Sequence, residues 1–269
     1  MGDNYIISEI EKDHMLSLLE QNKRIDGRTY NTFREVKIET NLVEKAEGSA
    51  IVTIGDTKLI VGVKAILGSP FPDTPESGVI TTSAELSPIA SPYFESGPPS
   101  EDSIELARVT DRTIRESHCI DLSKLCIVPE KHVWILFIDF YVLNHDGNLF
   151  DAAVLGAIAA LATTKIPKVK VLEDGFVEKL EEKESLKIDH YPVAVTCYKL
   201  DKYKIYDANF KEDRCSDSRI TIGFDEEDHI VALQKGKQGT YKPAEIMEIV
   251  HESLNISKTL RKELMKSLS

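Results

Sequence analysis

The sequence is poor in the patterns that build metal and covalent sites. Its four cysteines, Cys119, Cys126, Cys197 and Cys215, form no C-x-x-C pair, and the only histidine at metal-ligand spacing from any of them is His118. Adjacent residues diverge on a helix, so Cys119 reads as a small packing residue. Scattered cysteines with no secretory segment fit a reducing cytoplasm. Long apolar runs are missing too: the longest, residues 152–162, contains Gly156 and is too short to span a bilayer. No membrane partner is therefore expected. The seven histidines are dispersed and no H-E-x-x-H occurs, so no metal site is expected. The phosphate-cradling GxxxxGKS/T and GxGxxG patterns and the nucleophile pattern G-x-S-x-G are absent, and no cofactor is expected. Positive charge is in deficit, with 33 Lys plus Arg against 45 Asp plus Glu and a net charge of −12. A protein that binds nucleic acid alone usually carries a broad basic surface, so any anion site here is local or completed by a partner.

Against that background, residues 97–117, GPPSEDSIELARVTDRTIRES, stand out. Arg108, Arg112 and Arg115 fall within roughly 60° of one another at about 100° per residue, while Leu106, Val109, Thr113 and Ile114 point to the other side. Pro98 and Pro99 mark the start, and Asp102 with Glu105 three residues on fits an N-cap with an acidic N3 residue. On one reading the arginines form a solvated face paired with Glu105, Asp111 and Glu116. On the other they face phosphate, which the planar guanidinium fork suits.

The length of 269 residues and 42% hydrophobic content allow a substantial core. Ser8 with Glu11 opens a predicted helix over 8–22. Strands are expected at 33–38, 50–54 and 58–66, the last two joined by the turn Gly55-Asp56-Thr57. Residues 68–76 and 87–99 hold seven of the eleven prolines and read as loops around a strand at 79–86. After the arginine helix, strands are predicted at 125–128 and 133–143, the second buried on both faces. A turn at 144–148 leads to a helix at 151–164, apolar all round and therefore internal. The charged stretch 178–187 reads as exposed loop or edge. Strands follow at 191–198, 204–206, 219–224 and 229–234, and the carboxylate-rich segment 201–228 is expected to be mostly a solvated edge. Helices at 243–254 and 257–268, the second capped by Ser257, close the chain. The order of elements gives an α/β (α+β) fold of two similar halves.

Taken together, Arg24-Ile25-Asp26-Gly27-Arg28, PPSEDSIELARVTDRTIRES and Trp134 in a long strand leading to DGNLFDAAVLGAIAAL closely resemble the RNase PH-like subunits of the exosome ring, in particular the non-catalytic ring subunits of the archaeal exosome. The resemblance implies an RNase PH-like fold, two βαβα-type halves in a single domain spanning 1–269. It implies a hexameric ring in which this chain alternates with a catalytic RNase PH-like sister subunit, carries RNA-binding cap subunits and degrades RNA from the 3′ end with phosphate as the attacking group. It places Arg108 and Arg112, with Arg115 less firmly, on the RNA path.

Active relatives hold phosphate with a glycine-serine/threonine-arginine sequence at the start of the buried helix. Here Asp146-Gly147-Asn148-Leu149-Phe150-Asp151 stands there, with Phe150 aligned to the arginine and Asp151 expected to repel phosphate. The catalytic aspartate position aligns with Arg219; a slip of two residues would offer Asp217 instead. The expected role is thus a catalytically silent, RNA-binding subunit, with no catalytic residues of its own. The alternative is a phosphorolytic exoribonuclease or nucleotidyltransferase using Asp213 or Asp217 as the acid, and a third reading is a free RNA-binding protein, which the net charge opposes.

Overall fold

The computed structural model describes residues 9–172 and 176–268; Ser8, the expected first cap, lies outside the described residues. Helix α1 (Glu9–Glu20) precedes β1 (Val36–Thr40), β2 (Gly48–Ile54) and β3 (Thr57–Gly68). The hairpin between β2 and β3 turns on Gly55, whose φ of +56° a side-chain-bearing residue would resist. Strand β4 (Val79–Leu86), helix α2 (Glu101–Glu116), the short β5 (Cys126–Val128) and β6 (His132–Asn144) follow. The sheet runs β1-β2-β3-β6-β4, with β5 on β6. Only β4 and β6 are parallel, and a parallel pair needs a crossover, which α2 supplies.

Strand β6 corrects the expectation of burial on both faces. Trp134, Leu136, Ile138, Phe140 and Val142 are buried, whereas Tyr141 is 43% exposed and Ile135, Phe137 and Asp139 are half-buried. One sheet face packs on helices and the other meets solvent, the usual state of a largely antiparallel sheet.

Helix α3 (Leu149–Ala162) is internal as predicted: every residue from 150 to 161 is buried. It packs on β2 and β3 and also on β9 (Val193–Leu200) of a second sheet. Gly156 permits this approach, because a Cβ there would meet Val61 Cγ2 at 2.7 Å. The second sheet contains β9, β10 (Tyr203–Tyr206), β11 (Ser218–Phe224) and β12 (Ile230–Gly236) in the order β10-β9-β11-β12. Between the sheets' contributions the charged stretch forms a separate two-stranded ribbon, β7 (Lys165–Val171) with β8 (Val177–Ser185), β8 being exposed almost throughout.

Two expectations fail instructively. The C-terminal helices are one, α5 (Pro243–Leu268), of 26 residues. Nothing in 255–257 breaks a helix, and Ile249, Ser253, Ser257, Leu260 and Leu264 form a single buried stripe. Ser257 is thus not a cap; its hydroxyl donates to the Leu254 carbonyl at 2.8 Å. The segment 201–228 is likewise no mere solvated edge. It contains helix α4 (Phe210–Cys215), opened by a reciprocal capping box of Asn209 and Glu212, and it buries Asp207 and Glu212.

Those carboxylates answer three arginines nearly two hundred residues upstream. The Arg24 guanidinium, fully buried, forks onto Glu212 and donates to the Tyr206 and Asp207 carbonyls. Arg28 and Arg34 both reach the Asp207 carboxylate at 2.7 Å, and Arg34 also pairs with Asp146 at 2.9 Å. Burial pushes the Asp207 carboxyl up, but Arg34 and Arg28 more than offset it and hold it below the usual range. The turn 24–28 is therefore structural: it fastens the N-terminal segment to α4.

Candidate nucleic-acid interface and cleft

Helix α2 starts two residues earlier than the sequence pattern indicates. Ser100 is the N-cap, its hydroxyl accepting from the Ser103 N–H, and Asp102 sits in the first turn with Glu101, where acidic groups complement the helix dipole. The apolar side is buried as expected: Leu106, Ala107, Val109, Thr113 and Ile114 face the core. The arginines divide. Arg115 pairs with Asp111 at 2.9 Å and donates to the Ile80 carbonyl at 3.1 Å. Arg108 and Arg112 are exposed and have no ion pair or hydrogen bond among the described residues. Of the three carboxylates that could have neutralised them, Asp111 is engaged with Arg115 and Glu105 with Arg219, and, among the described residues, Glu116 forms no ion pair with either arginine.

The N-terminal end of α2 borders a cleft of about 570 Å³. The loop after β4, the start of α3, α4 and β11 complete its walls. Phe150 lines it, only 8% exposed, and the Arg219 guanidinium lies 4.5 Å from its ring centroid. A neighbouring aromatic group escaped the sequence reading. Tyr93 stacks on Phe210 at 5.6 Å, Phe94 stacks on His145 at 5.3 Å, and His145 meets Phe210 edge-on. The adjacent aromatics Tyr93-Phe94 in a proline-rich loop, and the Asn209-x-x-Glu212 cap just before Phe210, were the available signals.

The acid candidates separate clearly. Asp213 lines the cleft, but it is paired with Lys237 at 3.0 Å. Burial raises its carboxyl, and the charges of Lys237 and Arg219 overcome this and hold it below the usual range. Asp217 is not a cleft residue; Lys12 of α1 pairs with it at 2.6 Å and the Asp201 N–H donates to it. Burial pushes the His145 imidazole down, against the pull of Asp213, Asp146 and Asp102, so it stacks as a neutral ring. Among the described residues no group of three or more His, Cys, Asp or Glu is placed to hold a metal ion, and no helix is long and apolar enough to cross a membrane.

Asp151 corrects another expectation, for it does not face the cleft and cannot repel a phosphate there. It is fully buried, accepting from the Thr196 hydroxyl at 2.7 Å. Burial pushes its carboxyl up to about 7, opposed by hydrogen bonds from Thr196 and Asn148. The folded state therefore binds a proton that the unfolded chain, with a carboxyl near 4, releases. Stability should fall as pH rises from about 4 to about 7, by a few kcal/mol at about 1.4 kcal/mol per pH unit, and then level off. Asp151→Asn should flatten that decline, a difference that urea denaturation across this range measures.

The sequence matches the 3′ exoribonuclease family, domain 1, over residues 32–167 and domain 2 over residues 190–255. The chain belongs to this RNase PH family, and its mixed α/β architecture is the RNase PH-like fold. It is 49% identical to the exosome complex component Rrp42 of Thermococcus kodakarensis, over 100% of this chain and 99% of that one. The Rrp42 component of Pyrococcus horikoshii is 48% identical over 100% and 98%. A chain of the Archaeoglobus fulgidus exosome, solved with RNA bound to the active site, superposes with a TM-score of 0.88 at 45% identity, covering 95% of this chain and 98% of that one.

Proposed function

We propose that this chain is a catalytically silent, RNA-binding structural subunit of a cytoplasmic archaeal-type exosome. It alternates with a catalytic RNase PH-like sister subunit in a hexameric ring, carries RNA-binding cap subunits, and serves phosphate-dependent degradation of RNA from the 3′ end. The reading of residues 1–269 as one domain is supported by a continuous core that draws on both sheets, α2, α3 and α5.

The observation that carries the silent role is the stacked pair of Phe150 and Arg219 in the cleft, where an active subunit would present a phosphate-binding arginine and an acid. The alternative enzyme reading draws on Asp213, which does line the cleft. A general acid works with a raised pKa, however, and Asp213 is held ionised by Lys237 and Arg219. Exposed Arg108 and Arg112 support the RNA contact, with Arg115 sharing its guanidinium with Asp111.

The purified chain is expected to shorten no 3′-tailed RNA in phosphate, while addition of the sister subunit restores activity and native mass spectrometry shows the mixed ring. Robust release of nucleoside diphosphates by the chain alone would overturn the silent role in favour of the enzyme.

A further inference from the structure

A carboxyl that belongs to neither the cleft, the arginine stripe nor the ion-pair networks is buried in the first turn of α3. Asp151 and the N-cap Asn148 are both fully buried. One oxygen of Asp151 accepts from the Thr196 hydroxyl at 2.7 Å, and that hydroxyl lies 3.0 Å from the hydroxyl of Thr221. The other, Oδ2, has no hydrogen-bond partner among the described residues, and neither has Oδ1 of Asn148. An ionised carboxylate can only accept, so a buried one with a bare oxygen lacks the donors that would offset its desolvation. A proton on Oδ2 turns one orphaned acceptor into a donor, within reach of the Asn148 side chain and its own orphaned oxygen.

The surroundings also favour the neutral acid. Asn148 Nδ2 donates to Asp207 at 2.9 Å, so a single amide stands between two carboxyls. Asp207 keeps its charge, because Arg28 and Arg34 hold it ionised. A second carboxylate beside it is repelled. From β9, besides Thr196, comes Tyr198, whose buried hydroxyl feels the charge of Asp151 and makes no hydrogen bond among the described residues. Strand β11 brings Thr221 and Arg219, the latter committed to Glu105 of α2. Strand β3 brings Thr57, whose hydroxyl donates to the Gly147 carbonyl, and α4 brings Asp213, paired with Lys237. The turn before α3 holds Asp146, paired with Arg34, and neutral His145. Among the described residues no cation pairs with Asp151.

This acid sits where it can control the turn around it. Asn148 stands at a φ of +51° with no side-chain cap, and Gly147, at +80°, packs so closely that a Cβ would come within 2.3 Å of the Ala208 carbonyl oxygen. Left-handed backbone at a residue with a side chain persists where its neighbours hold it. Asp207 holds Asn148 on one side and Asp151 on the other. The next residues, Leu149 and Phe150, line the cleft, and Phe150 lies against Arg219. We propose that Asp151 is a proton-operated latch on the start of α3: protonated, it fixes the Asn148 turn and seats Phe150 against Arg219; ionised, it loosens both. The latch is closed in acid and opens as pH rises through about 7, the value to which burial raises this carboxyl. It is a property of the single chain and stands whether or not the ring forms.

The test is NMR of the isotope-labelled full chain from about pH 5 to about pH 9, a range that spans the expected midpoint, for wild type, Asp151→Asn and Thr196→Val. The Asp151 carboxyl carbon should titrate with a midpoint near 7. The Phe150 ring and Arg219 Nε–H resonances, tied to each other by ring current, should move with the same midpoint. Asp151→Asn keeps a neutral side chain with a donor at every pH and should abolish that movement; movement that survives belongs to His145 and overturns the latch. Thr196→Val removes a hydrogen bond that favours the charged form, so the midpoint should rise by about one pH unit or more. This variant and the wild-type titration decide the matter should Asp151→Asn not fold, and an unmoved midpoint counts against the latch. A carboxyl that titrates near its ordinary value of about 4, the result expected if water served the bare oxygen, would refute the proposal. So would an Asp151 that titrates near 7 while Phe150 and Arg219 stay unmoved. The ring reading is tested by mixed assembly and RNA shortening, so the two can fail separately.

Discussion

Replacing Arg108 and Arg112 together with Glu should weaken RNA binding by the assembled ring by about two orders of magnitude, if each lost hydrogen bond to a charged phosphate is worth about 1.5 kcal/mol. Both side chains are exposed on α2 without a protein partner among the described residues, so their donors are available to an incoming strand. The substitutions also remove two counterion-release contributions, and the slope of log affinity against log salt should become shallower by about 1.4 for single-stranded RNA. The effect should therefore shrink at high salt, while assembly and the chemical step on a short substrate stay nearly intact. Fluorescence anisotropy across a salt series makes the measurement. Unchanged affinity and slope in a correctly assembled mutant ring would reduce the stripe to a solvated face. In that case the expected cost is only about 0–1 kcal/mol of stability. Arg115 serves as an internal comparison, because its guanidinium is already shared with Asp111 and the Ile80 carbonyl.

Arg24→Ala should destabilise the chain by about 3–5 kcal/mol, the cost of removing one partner from a buried ion pair. The deletion strips the Glu212 carboxylate, 3% exposed at its side chain, of its cationic partner, leaving it the Asn209 N–H, and takes one donor from the Tyr206 and Asp207 carbonyls, the second of which keeps Arg28. Arg24→Lys should recover little, since a single ammonium cannot reproduce the fork that reaches Glu212 and two carbonyls. The double change Arg24→Met with Glu212→Leu should be milder than Arg24→Ala, because no charge is then stranded in the interior. Urea unfolding of the three variants tests this order. Equal stability of Arg24→Ala and wild type would mean that the N-terminal segment is not fastened through this network.

Much of the architecture was legible because it rests on local rules. The 3.6-residue period of α2, the prolines before it, the apolar run of α3 and the β-branched strands on either side of Gly55 each state their structure within a dozen residues. The six residues of α4 were too few to show a period, although their capping box was present in the sequence. The break expected in α5 rested on Ser257 as a cap, yet a serine in a helix can satisfy its hydroxyl on a preceding carbonyl, and here it lies on the stripe facing the core.

The sequence by itself determined the α/β class, the internal helix and the cationic stripe, because each is written in residue types at fixed spacing, and its resemblance to RNase PH-like subunits set the expectation that Phe150 stands where active members carry an arginine. Only the tertiary structure decided which charges are spent. It sent Asp111 to Arg115 and Glu105 to Arg219, leaving Arg108 and Arg112 unpaired among the described residues; it turned Asp151 into the core and tied Asp217 to Lys12, outside the cleft. It also brought Tyr93 onto Phe210 and Arg24 onto Glu212 across more than a hundred residues of chain. The reason is physical: a charge or ring finds its partner by distance in space, and that distance is set when the sheets and helices pack.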